Sequence, residues 1–184
     1  MRLFLSVDLP PELATEIEAL QEQFADAEGL RFTDPSQAHV TMKFLGDVRG
    51  DRIDELQAAV SEAIARIDVD PFEAKVGGLG VFPSPDYISV VWTGFRAGGE
   101  ELTRIHQTLE AATIELGFEP EEHAFTPHVT IARMDDARGK ELVQHKLREE
   151  DPTVGTFDVA EVRLTESTLT ENGPEYETIA RVPL

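Results

Sequence analysis

The chain has 184 residues and no cysteine. Disulfides, thiolate nucleophiles and zinc–thiolate sites are thereby excluded, and the expected location is cytoplasmic. No apolar run is long enough to cross a bilayer, so no membrane role is expected. The short apolar stretch at the N-terminus meets Asp8 and Pro10-Pro11 too early for a signal peptide, and it reads as a first strand. Basic residues are scarce: Lys and Arg total 16, only four of them Lys, against 36 Asp and Glu, a formal net charge of −20. That balance argues against a broad basic groove, so any nucleic-acid contact is expected to be local.

The acids are spread rather than gathered into a tail, as in Glu100-Glu101, Glu121-Glu122 and Glu149-Glu150-Asp151. Apolar periodicity persists almost to the C-terminus, which argues against disorder. Such self-repulsion is tolerable where salt shortens the Debye length to about 3 Å, near 1 M. The composition resembles that of proteins from salt-accumulating, halophilic microbes.

The spacing predicts strands at 3–7 and 39–45, separated by a helix with the stripe Leu13, Ile17, Leu20 and Phe24. A second helix carries Ile53, Leu56, Val60, Ile64 and Ile67. Strands at 72–82 and 87–93 flank the turn Pro83-Ser84-Pro85-Asp86. A third helix carries Leu102, Ile105, Leu109, Ala112 and Leu116. Then come a strand at 125–133, a short helix at 140–148, and strands at 156–169 and 176–182 with Gly173-Pro174 between the last two. Each half of this order holds two helices and one strand of a shared motif. The fold expected is α+β, a single bilobal unit over residues 1–184 built by internal duplication. Two antiparallel sheets face each other across a central cleft, with helices on the outer faces.

The shared motif is His39-Val40-Thr41-Met42 and, about half the chain later, His128-Val129-Thr130-Ile131. On a strand, residues i and i+2 point to one face, so each segment aims an imidazole and a hydroxyl together. A third match, His106-Gln107-Thr108-Leu109, lies in the helical stripe. Two positions along a helix turn through about 200°, so its His and Thr diverge. It is rejected as a site, and His106 is expected to flank the buried stripe. His123 and His145 read as solvated surface groups.

Two imidazoles facing one phosphorus can act together, one taking a proton from water and the other protonating the departing oxygen. Thr41 and Thr130 can donate to the non-bridging phosphate oxygens. Lys43 and Arg133 are candidates to neutralise the charge. Lys43 shares the parity of His39, whereas Arg133 has opposite parity to His128 and joins only if its strand ends or bulges after Ile131. Thr is a poor metal ligand and no His-x-His or carboxylate cluster completes a shell, so no metal or cofactor is expected. The rival reading is a non-catalytic module that clasps the phosphate of a nucleotide or RNA end. It is the weaker one, because clasping needs permanent cations rather than titrating rings.

Paired His-x-Thr-x motifs resemble the signature of the two-histidine (2H) phosphoesterase superfamily. Met1-Arg2-Leu3-Phe4, His39 to Gly46, Gly80-Val81-Phe82-Pro83, Trp92-Thr93-Gly94, Phe125 to Arg133 and Thr165 to Leu169 with Gly173 to Tyr176 are similar to RNA 2′,3′-cyclic phosphodiesterases. These enzymes are also called 2′-5′ RNA ligases. The resemblance implies metal-independent hydrolysis of RNA or nucleotide 2′,3′-cyclic phosphate ends to 2′-phosphates, with 2′-5′ ligation as a side activity. It implies His39 as general acid and His128 as general base, with Thr41, Thr130 and Arg133 on the phosphate. Phe44 becomes a stacking surface for the terminal base, against an equal alternative as a core aromatic on the opposite strand face, and Arg133 is ranked above Lys43. The partners implied are RNA 3′ ends or small cyclic nucleotides, with no obligate protein partner.

Overall fold

Nine strands and four α-helices make up the computed structural model, which describes residues 1–184. In chain order they are β1 (Arg2–Asp8), α1 (Ala14–Glu22), β2 (Leu30–Phe32), β3 (His39–Asp47), α2 (Ile53–Arg66), β4 (Phe72–Ser84), β5 (Tyr87–Ala97), α3 (Gly99–Glu115), β6 (Val129–Met134), α4 (Lys140–Glu149), β7 (Thr153–Val159), β8 (Glu161–Thr170) and β9 (Gly173–Pro183). Two antiparallel sheets result, ordered β3-β1-β8-β9 and β2-β6-β5-β4-β7. No helix is long and apolar enough to cross a membrane.

The helices form where apolar residues recur every three or four positions. In α2, Leu56, Val60 and Ile64 are buried, with Asp54 and Glu55 in the first turn and Arg66 in the last, matching the helix dipole. In α3 the buried stripe is Leu102, Ile105 and Leu109, joined by His106 and Thr113. Helices α2 and α3 pack on each other, and they cover β9 and β3 respectively. Buried apolar side chains from both sheets and all four helices join in one cluster, which includes Leu5, Ile17, Leu56, Leu109, Ile131, Val143 and Val162.

The two sheets do not correspond to the two halves of the sequence. Strands β4 and β5 of the first half lie in the second sheet, and β8 and β9 of the second half lie in the first. The helices cross over as well. Helix α1 leaves the first sheet after β1 and packs on β6 and β7, while α3 leaves the second sheet after β5 and packs on β3. The connections are therefore woven: each half of the chain supplies strands to both sheets. Three expected boundaries differ. The stretch expected as one strand at 156–169 is two strands in different sheets, divided at Ala160. Residues 125–128 precede β6 without belonging to it, and the short β2 lacked enough alternation to be read.

Candidate active site

Strand β3 pairs with β1 so that Asp8 lies opposite His39 and Ser6 opposite Thr41. Next along the ladder, Leu5 lies opposite Lys43, which leaves Met42 unmatched. This β-bulge resets the alternation. Met42 and Lys43 are both buried, and Phe44 then emerges 61% exposed, its ring 6.3 Å from Phe4. Phe4 in turn lies 5.1 Å from the His39 ring, so Phe44 sits on the His39 side of the sheet.

Strand β6 repeats the device. Thr130 lies opposite Trp92 and Ala132 opposite Val91, which leaves Ile131 unmatched. Ile131 and Ala132 are both buried, and Arg133 emerges exposed on the face of His128 and Thr130. The bulge that Arg133 required is present. The same bulge in β3 has the opposite consequence for Lys43, which is 1% exposed and turned away from the motif face. Its Nζ donates to the Glu119 carbonyl at 2.6 Å and pairs with Glu110 Oε2 at 2.9 Å. Lys43 is thus not a phosphate neighbour. Strict alternation cannot foresee this, because one unpaired residue inverts the face of everything after it.

Both imidazoles are held in the same way. His39 Nδ1–H donates to the Gln37 carbonyl at 2.9 Å, and His128 Nδ1–H donates to the Thr126 carbonyl at 2.7 Å. A carbonyl only accepts, so the proton on Nδ1 is assigned and Nε2 is the nitrogen left to exchange protons. Aromatic rings brace each imidazole. Phe4 and Tyr176 lie 5.1 and 5.0 Å from His39, and Phe82 and Trp92 lie 4.8 and 5.9 Å from His128. Trp92 reaches His128 because Gly80 lies beneath it, where a Cβ would come 2.1 Å from the indole.

Burial lowers the pKa of both histidines below the ordinary imidazole value, against the raising effect of each carbonyl bond. Arg133 lowers both, and His39 lowers His128, so these three charges share one field. Asp8 opposes the trend at His39 alone. Its carboxylate is fixed by Ser6 Oγ at 2.8 Å and Arg163 Nη1 at 2.9 Å. A cavity of about 110 Å³ adjoins His39, lined by Asp8, Ser36, Gln37, Thr165 and the rings of Phe4 and Tyr176. Tyr176 is a neighbour that sequence reasoning did not assign a role; burial raises its pKa, and Arg133 and Arg2 lower it. His123 and His145 are exposed, and His106 is buried in α3.

Paired, backbone-anchored imidazoles with hydroxyls and a guanidinium on the same faces are groups able to exchange protons and to hold an anion. Residues 9–171 match the 2′-5′ RNA ligase superfamily, and the chain belongs to it. Among curated relatives, an RNA 2′,3′-cyclic phosphodiesterase of Aeropyrum pernix is 39% identical over 145 residues, 78% of this chain and 80% of that one. One of Methanocaldococcus jannaschii is 33% identical over 180 residues, 97% of this chain and 98% of that one. A solved structure from Thermus thermophilus superposes with a TM-score of 0.82 at 27% identity, covering 100% of this chain and 98% of that one. Escherichia coli LigT complexed with 3′-AMP has the same fold, with a TM-score of 0.79 at 24% identity, covering 100% of this chain and 97% of that one.

Proposed function

We propose that this chain hydrolyses 2′,3′-cyclic phosphate ends of RNA, or small cyclic nucleotides, to 2′-phosphates without a metal. The observation that carries the reading is the pair of imidazoles, each with Nδ1 tied to the carbonyl two residues back and both within the field of Arg133. His128 Nε2 takes a proton from water as its oxygen bonds to phosphorus. The bond from phosphorus to the 3′ oxygen breaks, and that oxygen takes a proton from His39 Nε2. Thr41, Thr130 and Arg133 hold the non-bridging oxygens, where charge accumulates.

The charges around the two rings support this assignment of acid and base, although burial is the largest influence on both. Arg133 disfavours a proton on both rings, so the difference lies in Asp8, which favours one on His39, and in His39, which disfavours one on His128. Each turn leaves His39 neutral and His128 protonated, and solvent restores the pair. A 5′-hydroxyl in place of water gives a 2′-5′ link by the same steps, which is the side activity expected.

Phosphorus NMR of a 2′,3′-cyclic mononucleotide tests the reading, run with a chelator in dilute buffer and in concentrated KCl. The 2′-phosphate is expected, with turnover falling by about 10²–10⁴-fold in His39→Ala or His128→Ala. Activity lost on chelation, with both variants still active, removes this mechanism. Binding without conversion leaves the phosphate-clasping module.

A further inference from the structure

The third His-x-Thr match, dismissed as a site because it is helical, lands between the other two. His106 projects from α3, and its Nδ1–H donates to the carbonyl of Met42, the bulged residue of β3, at 2.7 Å. Its ring stacks on Phe125, with centroids 4.2 Å apart and planes within 9°. Met42 adjoins Thr41, and Phe125 adjoins Thr126, whose carbonyl holds the His128 ring. One buried side chain therefore touches the backbone of the first motif and the segment that delivers the second.

An independent contact repeats the arrangement on the other side. Gln21 of α1 is buried, and its Nε2 donates at 3.0 Å to the carbonyl of Ile131, the bulged residue of β6. Each bulge is thus gripped by a polar side chain of the helix that crosses over from the opposite sheet. At Ile131 the grip is shared with the Thr33 N–H at 3.1 Å and the Thr33 hydroxyl at 3.2 Å. A buried polar group that serves only packing is costly unless satisfied. Two such groups at equivalent bulges serve a common geometric end.

We propose that His106 is a positioning residue for the reaction, holding the His39 strand and the His128 segment at the separation that one phosphoryl group spans. Gln21 has the corresponding, partly redundant, role at Ile131. The proposal rests on the paired-histidine reading above. It assigns a function to geometry rather than to contact with substrate.

Turnover of a 2′,3′-cyclic mononucleotide by His106→Phe and His106→Gln tests it. Phe keeps the stack on Phe125 and removes the donor; Gln keeps a donor toward Met42. In His106→Phe, kcat is expected to fall about 10–100-fold, the cost of a misplacement near 1 Å, with KM within about threefold. His106→Gln is expected to retain kcat within about threefold, because a donor still grips the bulge. Should His106→Phe not fold, Gln21→Met takes its place, with a loss of about 3–10-fold because Thr33 keeps part of the grip.

A folded His106→Phe that keeps kcat overturns the proposal, as does a raised KM at unchanged kcat, or a Gln variant no better than Phe. A second readout needs no turnover. NMR titration of the His39 and His128 rings reports their mutual influence, with Asp8 and Arg133 as the other charges facing them. That influence changes in His106→Phe if the brace sets their separation, and an unchanged titration overturns the proposal. Full activity in His39→Ala removes the catalytic reading instead.

Discussion

Each motif imidazole commits one nitrogen to a carbonyl two residues back in its own chain, which leaves orientation little freedom and Nε2 unengaged by that bond. The lowered pKa values then set a pH window. The proposed mechanism requires His128 neutral and His39 protonated in the free enzyme, so kcat/KM against pH is expected to be bell-shaped. Its acid limb is protonation of His128, and its alkaline limb is loss of the His39 proton. Burial and Arg133 lower both, so the maximum is expected below about pH 6.5, the ordinary imidazole value. Asp8→Asn removes the one charge that raises His39, and the alkaline limb moves to lower pH. Arg133→Met relieves both rings, so the whole bell moves to higher pH. It also loses a charged contact to phosphate, lowering kcat/KM by about 10–100-fold at the optimum. A bell that stays in place in Arg133→Met removes Arg133 from the site. Lys43 provides the contrast. Lys43→Met leaves the partly exposed Glu110 carboxylate with the Glu121 N–H alone, and is expected to cost about 1–3 kcal/mol by chemical denaturation, with KM unchanged in the folded fraction.

At the scale of elements, the bulges and the glycine at the sheet surface decide which side chains reach the cleft. Gly80→Ala places a methyl within the indole of Trp92, so the ring and the neighbouring His128 must shift. The expected cost is about 1–3 kcal/mol, with a fall in kcat. Trp92 is the only tryptophan, so its fluorescence reports the displacement directly; an unaltered spectrum with normal kcat refutes it. The helices and the long strands were legible in sequence because their stripes are regular. So were both His-x-Thr pairs, since i and i+2 share a face before any irregularity intervenes. Beyond position i+3 legibility failed for Lys43 and was conditional for Arg133, because a bulge carries no reliable mark in a single sequence. The woven connection of the lobes was also illegible. Periodicity tells a strand from a helix, but it does not say which sheet a strand joins, and the break at Ala160 separates two strands that read as one.

For the whole molecule the governing quantity is a net charge of −20. Most cations are neutralised locally, as in Arg31–Asp135, Arg66–Glu62, Arg96–Asp151 and Arg181–Glu161. Arg2 and Arg133, which both face Tyr176, have no ion-pair partner within 4.0 Å among the acids. A terminal phosphate therefore meets local positive charge, while the body of an RNA meets a repelling surface. These two effects respond to salt with opposite sign. Added salt weakens contact between a phosphate and Arg133 for any substrate, but it also screens repulsion, whose range falls from about 10 Å at 0.1 M to about 3 Å at 1 M. Only a long substrate feels the second effect. The ratio of kcat/KM for an oligonucleotide with a 2′,3′-cyclic end to that for the cyclic mononucleotide is thus expected to rise several-fold with KCl between these concentrations. A protein with a basic track for the RNA body behaves oppositely, because each phosphate it neutralises releases counterions and steepens the loss with salt. A falling ratio in this protein therefore identifies such a track and refutes recognition confined to the terminal nucleotide.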